Sequence, residues 1–208
     1  MTDDKPRETF ILSRGEYLKP TTKVTFDTPA FLPPLPKDAP KNRLGFARWL
    51  FAPENPLTAR VAVNRLWQNL FGTGLVKTVE DFGVQGELPS NPVLLDWLAV
   101  EFRDKGWDVK KMTRLMVTSR TYRQSSSLRP DLKELDPNNR LLASQNPRRL
   151  DAEFVRDNAL FIAGLLNVAD VGGPSVMPYQ PEGYYEPMQF PNRTYVASKD
   201  SDQWRRGL

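Results

Sequence analysis

Three polar side chains, Arg60, Asn64 and Gln68, recur every four residues along NPLTARVAVNRLWQNLFGTG, residues 55–74, beside the apolar Leu57, Val61 and Phe71. On a helix this spacing sets a guanidinium and two amides in one stripe, which is hydrogen-bonding chemistry suited to holding a ligand. The stripe equally suits side chains that satisfy loop carbonyls inside a fold, and buried polar groups usually serve that purpose, so the structural reading is preferred. A second set is acidic: Glu80, Asp81 and Glu87 offer carboxylates of the kind that Ca²⁺ binding or sugar hydrolysis requires. Their spacing matches no calcium loop, and solvated loop acids are the plainer account. A third set is aromatic. Tyr179, Tyr184 and Tyr185, interleaved with Pro178, Pro181 and Glu182, offer ring faces to a glycan or a peptide, or simply pack. From these sets Arg60, Asn64, Gln68, Asp81, Glu87, Tyr184 and Tyr185 are the candidate binding residues; no catalytic residue and no metal ligand is assigned.

The residue types that are missing narrow the chemistry further. The 208 residues include no cysteine and no histidine, which removes disulfides, Cys/His zinc sites, CxxCH haem attachment and any triad that uses histidine. Lys and Arg exceed Asp and Glu by 29 to 25, and the bases are dispersed, so a nucleic-acid surface is weakly indicated. The turn around Gly106 invites a helix-turn-helix reading, with Lys110, Lys111, Arg114, Arg120 and Arg123 on phosphates. Met112, Leu115 and Met116 occupy the face that such a helix would bury, and an ordinary αα-hairpin fits better. The DFG string at residues 81–83 lacks the other kinase motifs, and Gly72-Thr73-Gly74 lacks the rest of a nucleotide loop. No window approaches the roughly 18 apolar residues of a membrane span.

The elements that must position these groups are helical. Prolines crowd residues 29–56 and 174–191 and are absent from 57–88, 93–129 and 148–173, where the strongest helical patterns fall. Asn55 and Pro56 suit a helix start and Gly72 a stop; between them Ala59, Ala62, Val63, Leu66, Trp67 and Leu70 form one broad apolar face. Asn91-Pro92 repeats that start, Gly106 ends the next helix, and Asp108 caps another in which Trp107 and Met112 form a hydrophobic staple. The patterns predict helices near 42–52, 56–71, 92–105, 109–119 and 151–167. Leu150 and Val155 are expected to staple the last of these, with Ile162, Ala163 and Leu166 facing inward. Two short strands within residues 8–26 complete the expected fold class, a mainly α, irregular helical domain of about five helices with a small N-terminal β-ribbon and Pro-rich loops. The expected division is an extended Pro-rich segment at 1–41, a helical core at 42–171 and an irregular C-terminal segment at 172–208, read as truncated and loosely packed.

The string from Asn55 to Ser126 is distinctive. Together with RGEY at Arg14 to Tyr17, LPPLP at Leu32 to Pro36, NPRRLDAE at Asn146 to Glu153 and GGPSV at Gly172 to Val176, it resembles a bacterial domain of unknown function. That domain is abundant in planctomycetes, where it stands at the C-terminal end of large exported proteins that often carry cytochrome c-like modules. The resemblance implies an exported location, periplasmic or at the cell surface, and haem c in a separate upstream module with no cofactor in this chain. It implies as partners other domains of the same polypeptide or a partner protein, with a polysaccharide also in view, and it supplies no catalytic residues. The leading expectation is a non-catalytic assembly or recognition module of a larger exported, cytochrome c-associated protein. The alternatives are a carboxylate-dependent hydrolase or carbohydrate-processing domain and a nucleic-acid-binding helical hairpin.

Overall fold

A computed structural model describes residues 8–127, 130–184 and 195–207. The chain is mainly α-helical, with one small antiparallel ribbon near its N-terminus. Strand β1 (Thr9–Leu12) pairs with β2 (Pro20–Val24) in the register Thr9 to Val24 and Phe10 to Lys23, interrupted by an irregularity before Leu12. Both strands are largely exposed, as befits a two-stranded ribbon that can bury little on its own. Five helices of eight residues or more follow among the described residues: α1 (Arg43–Leu50), α2 (Leu57–Phe71), α3 (Pro92–Asp104), α4 (Val109–Val117) and α6 (Ala152–Ile162). A single turn, α5 (Leu132–Leu135), precedes the last of them. Two compact units divide the chain, Met1–Asn146 and Pro147–Leu208.

In the first unit the helices start where polar caps stand. The side chain of Asn42 accepts from the Leu44 and Gly45 amides, Asn55 from Leu57 and Thr58, Asn91 from Leu94 and Asp108 from Lys111, so each cap satisfies amides that have no intrahelical partner. Helix α2 begins one residue later than its cap and proline imply, because Asn55 reaches past Pro56. Helices α3 and α4 meet in a tight turn. The Trp107 amide donates to the Phe102 carbonyl and the Gly106 amide to Arg103, the paired bonds of a glycine-terminated helix end, with Gly106 at φ 76°. Trp107 is itself left-handed, at φ 59°, a costly conformation for a bulky residue. Its ring is fixed edge-on between Phe51, at 4.9 Å, and Phe102, at 5.3 Å, and that packing offsets the cost.

The core lies on α2. Ala59, Val63, Trp67 and Phe71 meet Leu95, Leu98, Ala99 and Phe102 of α3, Met112 and Met116 of α4, and Leu75 and Val76 of the following loop. Trp67 stacks on Phe71 at 4.0 Å, Tyr122 meets Phe71 edge-on at 5.6 Å, and Leu66 is partly buried against the cluster. Leu115 departs from the expected inner face of α4: it is exposed, and only Met112 and Met116, four residues apart, turn inward. Helix α1 anchors the proline-rich segment instead, through the Trp49 indole, which donates to the Pro33 carbonyl at 2.7 Å.

The second unit is assembled differently. Helix α6 ends near Ile162, short of the expected 167, and has no buried residue. Leu150 and Val155 are both exposed, so the staple expected between them does not form a buried contact, and Ile162, expected inward, is 78% exposed. The partly buried positions are Arg156, Asp157 and Leu160, because this helix meets its own unit through polar bonds rather than an apolar stripe. Arg156 donates to the carbonyls of Arg205 and Gln203, and the Gly207 amide donates to Asp157. Arg205, only 7% exposed, donates to the carbonyls of Gly172 and Pro174 and to Asp202. The tail expected to lie loose is, at residues 195–207, tied to α6 by Arg156 and to the loop at Gly172 and Pro174 by Arg205.

Candidate functional site

The stripe read from α2 separates into individual roles. Asn64 is fully buried and satisfied in both directions: its Nδ2 donates to the Val76 carbonyl and its Oδ1 accepts the Val76 amide, each at 2.9 Å. One side chain thereby stands in for a strand partner and clamps the loop that leaves the helix. Gly74 is part of that clamp, since a Cβ there would fall 2.5 Å from the Val76 oxygen and 2.7 Å from Asn64 Nδ2. Arg60 points elsewhere. Its Nε donates to Asp96 Oδ1 of α3 at 2.6 Å and its Nη1 to the Pro56 carbonyl at 2.7 Å, in a hollow shared with Arg103 and Trp107. The Arg60 guanidinium holds the Asp96 carboxyl below its ordinary value, first by this hydrogen bond and then, after an opposing effect of desolvation, by its charge. Gln68 is half-buried, and its backbone carbonyl accepts the Gly72 amide that closes the helix.

The acidic residues are also parted. Glu80 pairs with Arg65, while Asp81 Oδ1 accepts the Gly83 amide at 2.7 Å and so shapes its own turn. Glu87 bridges two cations, its Oε1 3.4 Å from Lys77 Nζ and its Oε2 3.2 Å from Arg140 Nη1. Among the described residues no three carboxylates gather as a cage for a metal ion. Tyr179 and Tyr184 are exposed, and Tyr185 lies outside the described residues.

Glu87 leads to a pocket. At the C-terminal end of α2, a cavity of about 180 Å³ is lined by Trp67, Phe71, Leu75 and Leu142 on its apolar side. Thr73, Lys77, Ser90, Asn138, Asn139, Arg140 and Asn146 supply the polar side. One wall is rigid. Buried Asn139, at φ 48°, donates to the Ser144 carbonyl at 2.7 Å and to Asn146 Oδ1 at 2.8 Å, and accepts from the Ala143 amide. Asn146 in turn donates to the last carbonyl of α2, that of Phe71, at 3.2 Å, satisfying an acceptor that the helix leaves open. Sequence reasoning passes over this wall, because DPNN at residues 136–139 has the composition of any turn and the partners of Asn139 are created by folding.

Taken together, the fold and the pocket define a small, mainly α-helical module whose interior polar groups are bonded to backbone and whose concave site joins cations to amides and hydroxyls. Residues 42–208 match the family described as PSD1, protein of unknown function (DUF1553), and the chain belongs to that family. No curated protein and no solved structure matches it.

Proposed function

We propose that this chain is a non-catalytic assembly or recognition module of a larger exported protein, docking through α6 onto another domain of the same polypeptide, with any haem c held in a separate module. The observation that carries the reading is the outer face of α6. Phe154, Val155, Phe161 and Ile162 are spaced by one and seven residues and so share one side of the helix, and all four are at least half exposed. Contiguous apolar side chains of this kind on a helix surface are what an interface uses. The non-catalytic part is supported by the commitments of the candidate residues: Asn64 holds Val76, Arg60 holds Asp96 and Pro56, and Asp81 shapes a turn. The alternative of a helical hairpin on nucleic acid draws less support, since Lys and Arg exceed Asp and Glu by only 29 to 25 and are dispersed along the chain.

The double substitution Phe161→Asp with Ile162→Asp tests the docking face. On an interface helix it leaves the thermal stability of the isolated chain within about 0.5 kcal/mol, the usual effect of surface changes, while it loosens α6 in the longer protein as read by limited proteolysis. A large loss of stability in the isolated chain would show that the stripe belongs to this unit's own core and would overturn the reading.

A further inference from the structure

We infer that the pocket at the end of α2 binds a small hydroxylated carboxylate, of the sugar-acid or hydroxy-acid class, with Lys77 and Arg140 on the carboxylate and Thr73, Ser90 and Asn138 on the hydroxyls. The assignment stands apart from the docking role of α6, since the residues it uses all lie in the first compact unit.

Size comes first. A cavity of about 180 Å³ has room for about six waters at roughly 30 Å³ each, and it falls below the roughly 300 Å³ at which drug-sized pockets begin. One ring or a short chain fits; a nucleotide does not. Charge comes second. Lys77 and Arg140 line the cavity, and one carboxylate, that of Glu87, bridges their side chains, while the Asp136 carboxylate is spent on the Arg140 and Leu141 backbone amides. Glu87 also shows the shape of the anion that suits these cations, because it gives one oxygen to each. At 3.4 and 3.2 Å those contacts are longer than the roughly 2.7–2.9 Å of a strong charge-assisted bond, and both cations retain N–H groups for a second anion.

The form of the anion follows from the helix. The pocket sits at the C-terminal end of α2, where carbonyls point outward and the dipole opposes negative charge, whereas phosphate sites are built at N-terminal ends. A singly charged carboxylate is therefore favoured over a phosphate. The remaining lining completes the recognition. Asn139 and Asn146 spend their amides on the wall, while the Thr73 and Ser90 hydroxyls and the Asn138 amide bond no described residue and face a ligand's hydroxyl groups. Trp67, Phe71, Leu75 and Leu142 offer an apolar floor to its C–H face.

The test is a titration of the isotopically labelled chain with glucuronate and gluconate, followed by amide NMR shifts, with glucose, acetate and inorganic phosphate as controls. The expected result is saturable binding of at least one of the two acids, with shifts at Ser90 and Arg140, weakening as salt is raised. Glucose and acetate bind at least about tenfold more weakly, and Lys77→Gln and Arg140→Gln each cost about tenfold or more. Glu87→Gln keeps the fold and tightens binding several-fold, because it removes the competing carboxylate; a purely structural role for Glu87 would not raise affinity. Failure of both acids to bind, equal binding of glucose, tighter binding of phosphate, or weaker binding in Glu87→Gln would each overturn the assignment.

Discussion

In residues 1–146 the chain buries Val63, Trp67, Phe71, Leu95, Leu98 and Phe102 against one another, whereas in residues 147–208 helix α6 has no fully buried residue and an arginine is enclosed instead. The contrast lies in what each unit does with its apolar groups. The first unit removes them from water, and that term dominates most folding free energies. The second leaves Phe154, Val155, Phe161 and Ile162 in solvent and holds its shape through Arg156 and Arg205, which donate to backbone carbonyls contributed from Gly172, Pro174, Gln203 and Arg205 itself. Hydrogen bonds specify geometry well but add little net stability apiece, so a unit held this way should be definite in shape and weak in stability. An apolar helix face on such a unit is available to something else.

The largest effect that would sharpen this comparison is expected at Trp67. Trp67→Ala should cost about 3–5 kcal/mol in denaturant unfolding, the usual loss for a large aromatic removed from a packed core, and should lower the transition of the first unit. A loss under about 1 kcal/mol would break the claim that α2 organises the core. Next comes Asn64→Ala, which leaves the Val76 amide and carbonyl buried without partners and should cost about 1–3 kcal/mol, again in the first unit.

Arg205→Ala should act on the other side. It removes the donors to Gly172 and Pro174, bonds to a charged group worth roughly 1.5–3 kcal/mol, and should abolish NMR dispersion across α6 and residues 195–207 while Trp67 and its neighbours keep native shifts. Uniform loss of shifts in both units would mean that they do not differ in the way described. The smallest effect belongs to Arg60→Ala. The pair is half in water, with Arg60 32% and Asp96 53% exposed, so the cost should lie between about 0 and 1 kcal/mol. Its sharper signature is electrostatic. The Asp96 carboxyl is held below its ordinary value when folded, so its contribution is present above the unfolded pKa and is lost as pH falls through the lowered folded value. In Arg60→Ala the Asp96 titration seen by carboxyl NMR should move upward, and the acid-side loss of stability should shrink.

Much of the first unit is legible in the sequence because its signals are local. A cap such as Asn91 announces itself beside Pro92, Gly106 and Asp108 punctuate the hairpin, and the apolar period of α2 names Val63 and Trp67 as core. The second unit is legible only as a helix. The spacing of Ile162, Ala163 and Leu166 is that of one face of an amphipathic helix, yet periodicity says that a face is apolar and not what covers it. Arg205 carries no local sign of burial, since the carbonyls it serves lie more than thirty residues away in sequence. The pocket suffers from the same limit: Lys77, Glu87 and Arg140 come from separated loops, and Asn139 looks like any turn asparagine until Ser144 and Asn146 close around it.

The most direct measurement is native-state amide hydrogen exchange on the whole chain, read residue by residue. Opening of the first unit should require most of its unfolding free energy, whereas α6 should open far more readily because few buried apolar contacts resist it. Strong protection across 61–71 and 95–102, with protection lower by orders of magnitude across 155–162, is the result the account predicts. Equal protection in α2 and α6 would contradict it, for it would show that the second unit draws on a core as stabilising as the first.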